Sequence, residues 1–215
     1  HSYIVYAPLL FGCTTVLYEG KPVRTPDAGA FWRIIEQHKV NVLFTAPTAI
    51  RAIKKEDPEA IFYNKYDTSS LQSLFLAGER CDPATFHWVK ELIKKPVIDH
   101  WWQTESGWPM MGMLGKYDTR EAIAGSAGFP VCGFDIRILN EDGKEVAEGL
   151  EGNIAVKLPL PPGCLTSLWN NEIRFYKSYF EKYPDYYLSG DGGYRNADGY
   201  HFVMGRVDDV INVSG

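Results

Sequence analysis

Polar side chains that could bind a ligand are concentrated in two segments, each directly after a predicted strand. The first reads Ala77-Gly78-Glu79-Arg80, and the second is residues 99–109, DHWWQTESGWP. In parallel sheets the carboxyl ends of strands meet at one edge, where loops converge on ligands. Gly78 lets backbone approach a flat ligand closely, and the four polar residues 103–106 follow two tryptophan rings. Ordinary core packing is the alternative reading of the tryptophans.

Two weaker candidates lie towards the end of the chain. Gly190-Asp191-Gly192 is typical of a tight turn, and its carboxylate, which only accepts hydrogen bonds, suits the vicinal hydroxyls of a sugar. Such a turn is more often only a turn. Residues 205–209 place Arg206 at the end of a predicted strand, followed by two acids. The alternative there is a surface ion pair, which contributes under about 1 kcal/mol.

Several common kinds of site are not indicated. The sequence has no GxxxxGK[ST] phosphate loop, no GxGxxG after a strand and no GxSxG serine elbow. The five histidines are scattered, and the four cysteines form no CxxC pair, so zinc and redox sites are not supported. We expect four buried thiols in a reducing compartment, which favours the cytoplasm, or the mitochondrial matrix in a eukaryote.

The composition is that of a folded, mildly acidic protein. The 215 residues include 22 Lys+Arg and 27 Asp+Glu, a formal net charge of −5, with 45% hydrophobic residues. This balance excludes a charge-driven binder of nucleic acid or of a membrane surface. No run approaches the ~20 apolar residues that span a bilayer.

Helices and strands must alternate through the first half to position these segments. The predicted elements are a strand at Thr14–Tyr18, a helix after Asp27, a strand at Val40–Phe44, a helix from Pro47 to Lys55, a strand at Leu71–Leu76, a helix from Asp82 to about Lys94, and a strand at Val97–Asp99. This order predicts an α/β fold with a parallel sheet.

After Trp102 the pattern becomes β-rich. The runs FDIRIL and GNIAVKL flank a turn at Glu141-Asp142-Gly143, a helix is predicted over 170–182, and a hairpin turns at 196–199. We expect a smaller antiparallel, barrel-like unit. The predicted division is an α/β part at 1–125, a β-rich part at 126–206, and a hinge with the start of a further domain at 207–215. Neither terminus resembles a finished end, so we expect an internal fragment of a longer protein.

The whole chain resembles the adenylate-forming acyl-CoA synthetases, specifically the short-chain branch that contains acetyl- and propionyl-CoA synthetases. The matching motifs, in family order, are TAPTAIR at 45–51, AGER at 77–80, DHWWQTESG at 99–107, GDG at 190–192 and GRVDDVINVSG at 205–215. The runs QTESGWP and LPLPPGC are closer to propionyl-CoA synthetases. The resemblance implies part of the large N-terminal domain of such an enzyme.

The resemblance also implies a reaction and a set of roles. A carboxylate attacks the α-phosphorus of ATP to give acyl-adenylate and diphosphate, and coenzyme A then displaces AMP. The implied acceptor for the ribose diol is Asp191. All the implied nucleotide contacts are Gly78, Glu79, Arg80, Asp99, His100, Trp101, Trp102, Gln103, Thr104, Asp191 and Arg206. The implied catalytic residues are Thr104, Glu105 and Arg206, and the implied Mg²⁺ ligand is Glu105. The implied hinge is Asp208, and Ser214 lies where the family approaches coenzyme A.

The implied substrate is a short-chain carboxylate. Trp102 would close the acyl pocket, and Ala77 stands where acetate-preferring relatives have a larger residue, so we predict propionate over acetate. The family's phosphate loop and its C-terminal lysine fall outside these 215 residues, and we expect this piece alone to be inactive. An exposed sheet face would favour association with a second copy or with the remaining chain. The alternatives are a non-catalytic AMP-binding remnant and a ligase that loads a carrier protein.

Overall fold

The first half of the chain alternates helices with parallel strands. The computed structural model describes residues 2–114 and 118–207. After a π-helical turn at Ser2–Tyr6, the elements are α1 (Ala7–Leu10), α2 (Ala30–His38), β1 (Val42–Thr45), α3 (Pro47–Glu56), β2 (Ser73–Leu76), α4 (Pro83–Ile93) and β3 (Val97–Asp99). Strand β2 lies in the middle of this sheet and pairs in parallel with both β1 and β3.

Local sequence explains where these helices begin and which faces they bury. Pro47 and Pro83 occupy the first turns of α3 and α4, where a missing N–H costs no hydrogen bond. Asp82 caps α4 by accepting a hydrogen bond from the backbone N–H of Thr85 at 2.9 Å. Ile50 and Ile53, on one face of α3, are completely buried in a core shared with the strands.

The second half is antiparallel. A small sheet contains β4 (Trp101–Trp102), β5 (Pro109–Gly112) and β6 (Phe129–Pro130). A four-stranded sheet, in the order β10-β9-β8-β7, contains β7 (Ile136–Leu139), β8 (Gly152–Lys157), β9 (Tyr186–Arg195) and β10 (His201–Arg206). Helix α5 (Glu172–Tyr179) lies between β8 and β9 in the chain. The α/β class and the parallel-to-antiparallel change are as predicted.

Some local predictions are wrong. Residues 14–18 form no strand, and the helix predicted over 170–182 is limited to Glu172–Tyr179. Gly190-Asp191-Gly192 is not a turn, since it lies inside the ten-residue strand β9. Cys81 and Cys164 are buried, but Cys13 and Cys132 are exposed.

The predicted hinge residue Asp208 and the predicted coenzyme A contact Ser214 lie outside the described residues. The division at residue 125 stays a prediction; the sheet type itself changes between Asp99 and Trp101. Within the described ranges, none of the helices combines the length and apolar character needed to cross a bilayer.

Candidate functional site

The segment 99–105 connects the two kinds of sheet. Strand β3 ends at Asp99, the backbone N–H of His100 still donates to Leu76 O at 3.1 Å, and Trp101 begins the antiparallel sheet. The polar residues that follow therefore leave the carboxyl edge of the parallel sheet and reach β9 of the other sheet. This places the predicted site at the junction of the two halves.

A buried carboxylate organises the junction. Asp191 is 7% exposed, and its Oδ2 accepts hydrogen bonds from Trp101 Nε1 at 3.0 Å and from Gln103 Nε2 at 2.7 Å. The same Gln103 amide nitrogen donates to Ser189 O at 2.9 Å. Because both donors bind the same oxygen, they fix the position of Oδ2. Trp101 is a core residue that also donates a hydrogen bond to Asp191, and its contact with a nucleotide stays a prediction.

Arg206 completes this group from the neighbouring strand. It pairs in register with Asp191, its Nη1 donates to Ser189 O at 2.8 Å, and Nη1 lies 3.9 Å from Asp191 Oδ1. Gly190 has φ +75°, and a Cβ there would stand 2.5 Å from Arg206 Nη2. The glycine is needed for its backbone conformation and for the close approach of the guanidinium.

Two stacked tyrosines support the same segment. The Tyr187 hydroxyl donates to Gln103 Oε1 at 2.7 Å, and the Tyr179 hydroxyl donates to Glu105 Oε1 at 2.9 Å. Their rings stack with centroids 5.4 Å apart and an angle of 20°. Burial, with the nearby Glu105, raises the pKa of both hydroxyls, so they stay protonated donors at neutral pH.

The segment 77–80 lies beside this group with more exposed side chains. Gly78, Glu79 and Arg80 are exposed, and Gly78 has φ +101°. The Arg80 guanidinium lies 5.8 Å from the Phe202 ring centroid, and its Nη1 is 3.6 Å from Met204 Sδ, so it contacts β10. Glu79 instead pairs with α3.

That pairing involves two residues of the TAPTAIR motif. Thr48 donates its hydroxyl to Glu79 Oε1, and Arg51 Nη1 lies 3.5 Å from the same oxygen. Ala77 is 7% exposed at the end of β2, where its N–H donates to Thr45 O at 3.2 Å. These contacts hold segment 77–80 against the start of α3.

Asp99 and His100 are buried neighbours with opposite pKa shifts. Asp99 is 6% exposed, and burial raises the pKa of its carboxyl to about 7. Its Oδ2 accepts from the backbone N–H of Cys81 at 3.1 Å, which ties segment 77–80 to β3. Burial lowers the pKa of His100 to about 4, and its Nδ1 lies 2.7 Å from Leu76 O. His100 is therefore neutral at physiological pH.

The structure brings some predicted site residues into direct contact and leaves others apart. Trp101, Gln103, Asp191 and Arg206 form one hydrogen-bonded group with Ser189. Thr104 is exposed, and Trp102 is half-buried. Sequence reasoning missed Thr48 and Ser189 and both stacked tyrosines, because their contacts join positions 31 to 86 residues apart.

The arrangement offers the chemistry that a nucleoside monophosphate requires. A carboxylate is an acceptor suited to a diol, and a neighbouring guanidinium is a donor suited to anionic oxygen. Among the described residues, no three His, Cys, Asp or Glu side chains form a metal cluster. Mg²⁺ beside phosphates needs only one or two protein carboxylates, so Glu105, with one oxygen held by Tyr179, fits that task.

The profile of the AMP-binding enzyme family matches residues 1–161. The chain belongs to the AMP-binding enzyme family. It is 51% identical over 216 residues to the bovine acyl-CoA synthetase short-chain family member 3, mitochondrial, and 47% identical over 217 residues to propionate–CoA ligase of Salmonella typhimurium. Both matches cover 100% of this chain, which spans 32% and 34% of those relatives.

A solved structure agrees in fold. A crystal structure of an anthranilate CoA ligase in complex with anthranoyl-AMP matches with a TM-score of 0.75 and 27% identity. The match covers 95% of this chain and 36% of that one. As a member of the AMP-binding family, the chain thus corresponds in fold to about a third of a ligase.

Proposed function

We propose that this chain is part of an AMP-forming short-chain acyl-CoA synthetase. In such an enzyme a carboxylate attacks the α-phosphorus of ATP to give acyl-adenylate and diphosphate, and the thiol of coenzyme A displaces AMP. The observation that carries the proposal is the hydrogen bonding of Trp101 and Gln103 to Asp191, which Arg206 approaches to 3.9 Å, supported by similarity to short-chain synthetases over the whole of this chain. The chain spans a third of those relatives, so the activity belongs to the longer protein.

The nucleotide would be held by the buried carboxylate and its donors. Asp191 accepts hydrogen bonds from the ribose diol, while Trp101 and Gln103 keep its orientation constant. Arg206 adds positive charge beside the ribose and phosphate oxygens. Because these groups are fixed before the ligand arrives, little reorganisation accompanies binding.

The other side of the nucleotide would meet segment 77–80 and residues 99–104. Gly78, Glu79 and Arg80 lie against the adenine, and Thr104 donates its hydroxyl to a phosphate oxygen. Mg²⁺ supplies charge neutralisation of the phosphates when bound, and Glu105 is the side chain that would hold it. Asp208 as hinge and Ser214 near coenzyme A remain proposals from sequence.

The proposed acid is propionate rather than acetate. Ala77, buried at the end of β2, leaves more room than a branched side chain, and Trp102 limits the length of the acid. One methylene in an apolar pocket changes discrimination by ~1–3 kcal/mol. The relative named propionate–CoA ligase supports this choice. Trp102 also disfavours the large acids that carrier-loading ligases use.

The test is ATP–diphosphate exchange by the full-length protein with acetate, propionate and butyrate. The expected result is exchange that requires added acid and is fastest, in kcat/KM, with propionate. Binding of AMP without exchange for any acid would support the non-catalytic alternative and refute the ligase proposal. Exchange with acetate and propionate at equal kcat/KM would refute only the substrate preference.

A further inference from the structure

The stacked tyrosines contact the two side chains that flank Thr104. Tyr187 in β9 donates to Gln103, and Tyr179 at the end of α5 donates to Glu105. Thr104 lies between those two residues in sequence. Gln103 and Glu105, the outer residues of the motif QTE, are thus both hydrogen-bonded by one pair of tyrosines, which lies more than 70 residues later in the chain.

The polarity of the bonds around Gln103 is determined by its partners. Ser189 O and the Asp191 carboxylate only accept hydrogen bonds, so the amide nitrogen of Gln103 must face them. Its oxygen therefore faces Tyr187, whose hydroxyl must donate. Without the Tyr187 hydroxyl, the side-chain amide of Gln103 would lose the hydrogen bond that opposes its rotation. A rotated amide would place Oε1, which is an acceptor, against the Asp191 carboxylate.

Glu105 is oriented in the same way as Gln103. An ionised carboxylate only accepts, so the Tyr179 hydroxyl donates to Oε1. The backbone of Glu105 is also fixed, because Leu165 N–H donates to its carbonyl at 2.7 Å. The side chain consequently has a defined direction before any ligand is present.

The tyrosine pair is itself firmly placed. Tyr187 is 2% exposed and packs in the core cluster that contains Trp101 and Met111. Phe180 meets the Tyr187 ring edge-on, with centroids 6.2 Å apart, and Phe175 lies 6.0 Å from Tyr179. Tyr187 is therefore fixed in the core, and the half-buried Tyr179 stacks on its ring.

We propose that Tyr187 and Tyr179 are positioning residues that act through Gln103 and Glu105, setting nucleotide affinity and Mg²⁺ affinity respectively. This inference rests on the proposed function. Tyr187 orients the amide that in turn orients Asp191, and Tyr179 orients the carboxylate that would hold Mg²⁺. Neither tyrosine is among the proposed nucleotide contacts.

The test uses Tyr187→Phe and Tyr179→Phe in the full-length protein, since phenylalanine keeps the ring and removes only the donor. Tyr187→Phe is expected to raise the KM for ATP ~10-fold, with the KM for propionate unchanged. Tyr179→Phe is expected to raise, ~3- to 10-fold, the Mg²⁺ concentration for half-maximal exchange and that for half-maximal ATP binding in calorimetric titration.

Tyr183→Phe is the matched control. Tyr183 is 4% exposed, its hydroxyl donates to Asn140 O at 2.8 Å and accepts from Asn153 Nδ2 at 3.1 Å, and neither partner belongs to the site. This variant loses buried hydrogen bonds of the same kind. It should lower the melting temperature and leave the KM for ATP and the Mg²⁺ dependence unchanged.

A double-mutant cycle distinguishes positioning from general destabilisation. If Tyr187 acts through Gln103, Tyr187→Phe changes the KM for ATP little when Gln103 is already alanine. Additive effects would overturn the inference for Tyr187. A KM for ATP within twofold of wild type in Tyr187→Phe would overturn it as well.

Tyr179→Phe keeps the inference testable if Tyr187→Phe does not fold, and an unchanged Mg²⁺ dependence overturns the Tyr179 half. Wild-type protein without exchange activity refutes the proposed function instead. The two failures are therefore separate results of one experiment.

Discussion

Replacing Asp191 by asparagine tests the nucleotide site with minimal change in shape. Trp101 Nε1 and Gln103 Nε2 both donate to Oδ2, so only the oxygen of the new amide can occupy that position. The new NH₂ group then stands where Oδ1 was, 3.9 Å from Arg206 Nη1. A ribose diol would meet a donor in place of an ionised acceptor.

The expected loss follows from the bonds involved. A hydrogen bond to a charged group contributes about 1.5–3 kcal/mol, so two bonds from a diol amount to at least about 3 kcal/mol. Since ~1.4 kcal/mol corresponds to a factor of ten, AMP should bind ~100-fold more weakly to the variant. The two internal donors keep an acceptor, so the melting temperature should change little.

The assay is calorimetric titration of AMP into the full-length protein. Asp135→Asn is the control, because it removes a carboxylate that is exposed and bonded to Arg137 at 2.6 Å, away from the site. That variant should bind AMP like the wild type. An affinity of Asp191→Asn within threefold of wild type would refute the assignment of Asp191 to the ribose.

Three further predictions concern neighbouring groups. The pKa of Asp99 is about 7 in the folded protein and 3.8 when unfolded, so folding favours the protonated carboxyl. Ionisation of Asp99 therefore lowers the free energy of unfolding, and this loss is absent below pH ~4, grows up to pH ~7 and is constant above. Asp99→Asn should therefore raise the free energy of unfolding more at pH 8 than at pH 4.5, and the difference should be at most about 4 kcal/mol. Chemical denaturation at the two pH values measures it, and an equal effect at both would contradict the prediction. Ala77→Val should shift the acetate-to-propionate kcat/KM ratio towards acetate ~10-fold, and an unchanged ratio would contradict the pocket assignment. Glu105→Gln should raise the Mg²⁺ concentration for half-maximal exchange at least ~10-fold, and an unaltered Mg²⁺ titration would exclude Glu105 as ligand.

The elements that sequence could predict are those with local causes. Pro47 predicts the start of α3, and Asp82 with Pro83 predicts the start of α4. Apolar runs predict β2 and β3. Residues 14–18 are predicted as a strand because they end a largely apolar stretch that begins at residue 3. No neighbouring strand pairs with them among the described residues, and periodicity alone does not supply a partner.

The site shows the same division between local and non-local causes. The motif at 99–105 is recognisable because it follows a strand, and Asp191 because glycines flank it. Gly190 suggests a turn, but it lies within a strand pair, where its missing Cβ makes room for the Arg206 guanidinium. Tyr187 and Tyr179 carry no local signal of their role, since their partners lie 84 and 74 residues away.

The most direct test of the account is a crystal structure of the full-length protein with AMP. The account predicts that the ribose hydroxyls lie within hydrogen-bonding distance of the Asp191 carboxylate, with Trp101 and Gln103 still donating to Oδ2. AMP bound elsewhere, or bound with its ribose directed away from Asp191, would contradict the central claim that this junction is the nucleotide site.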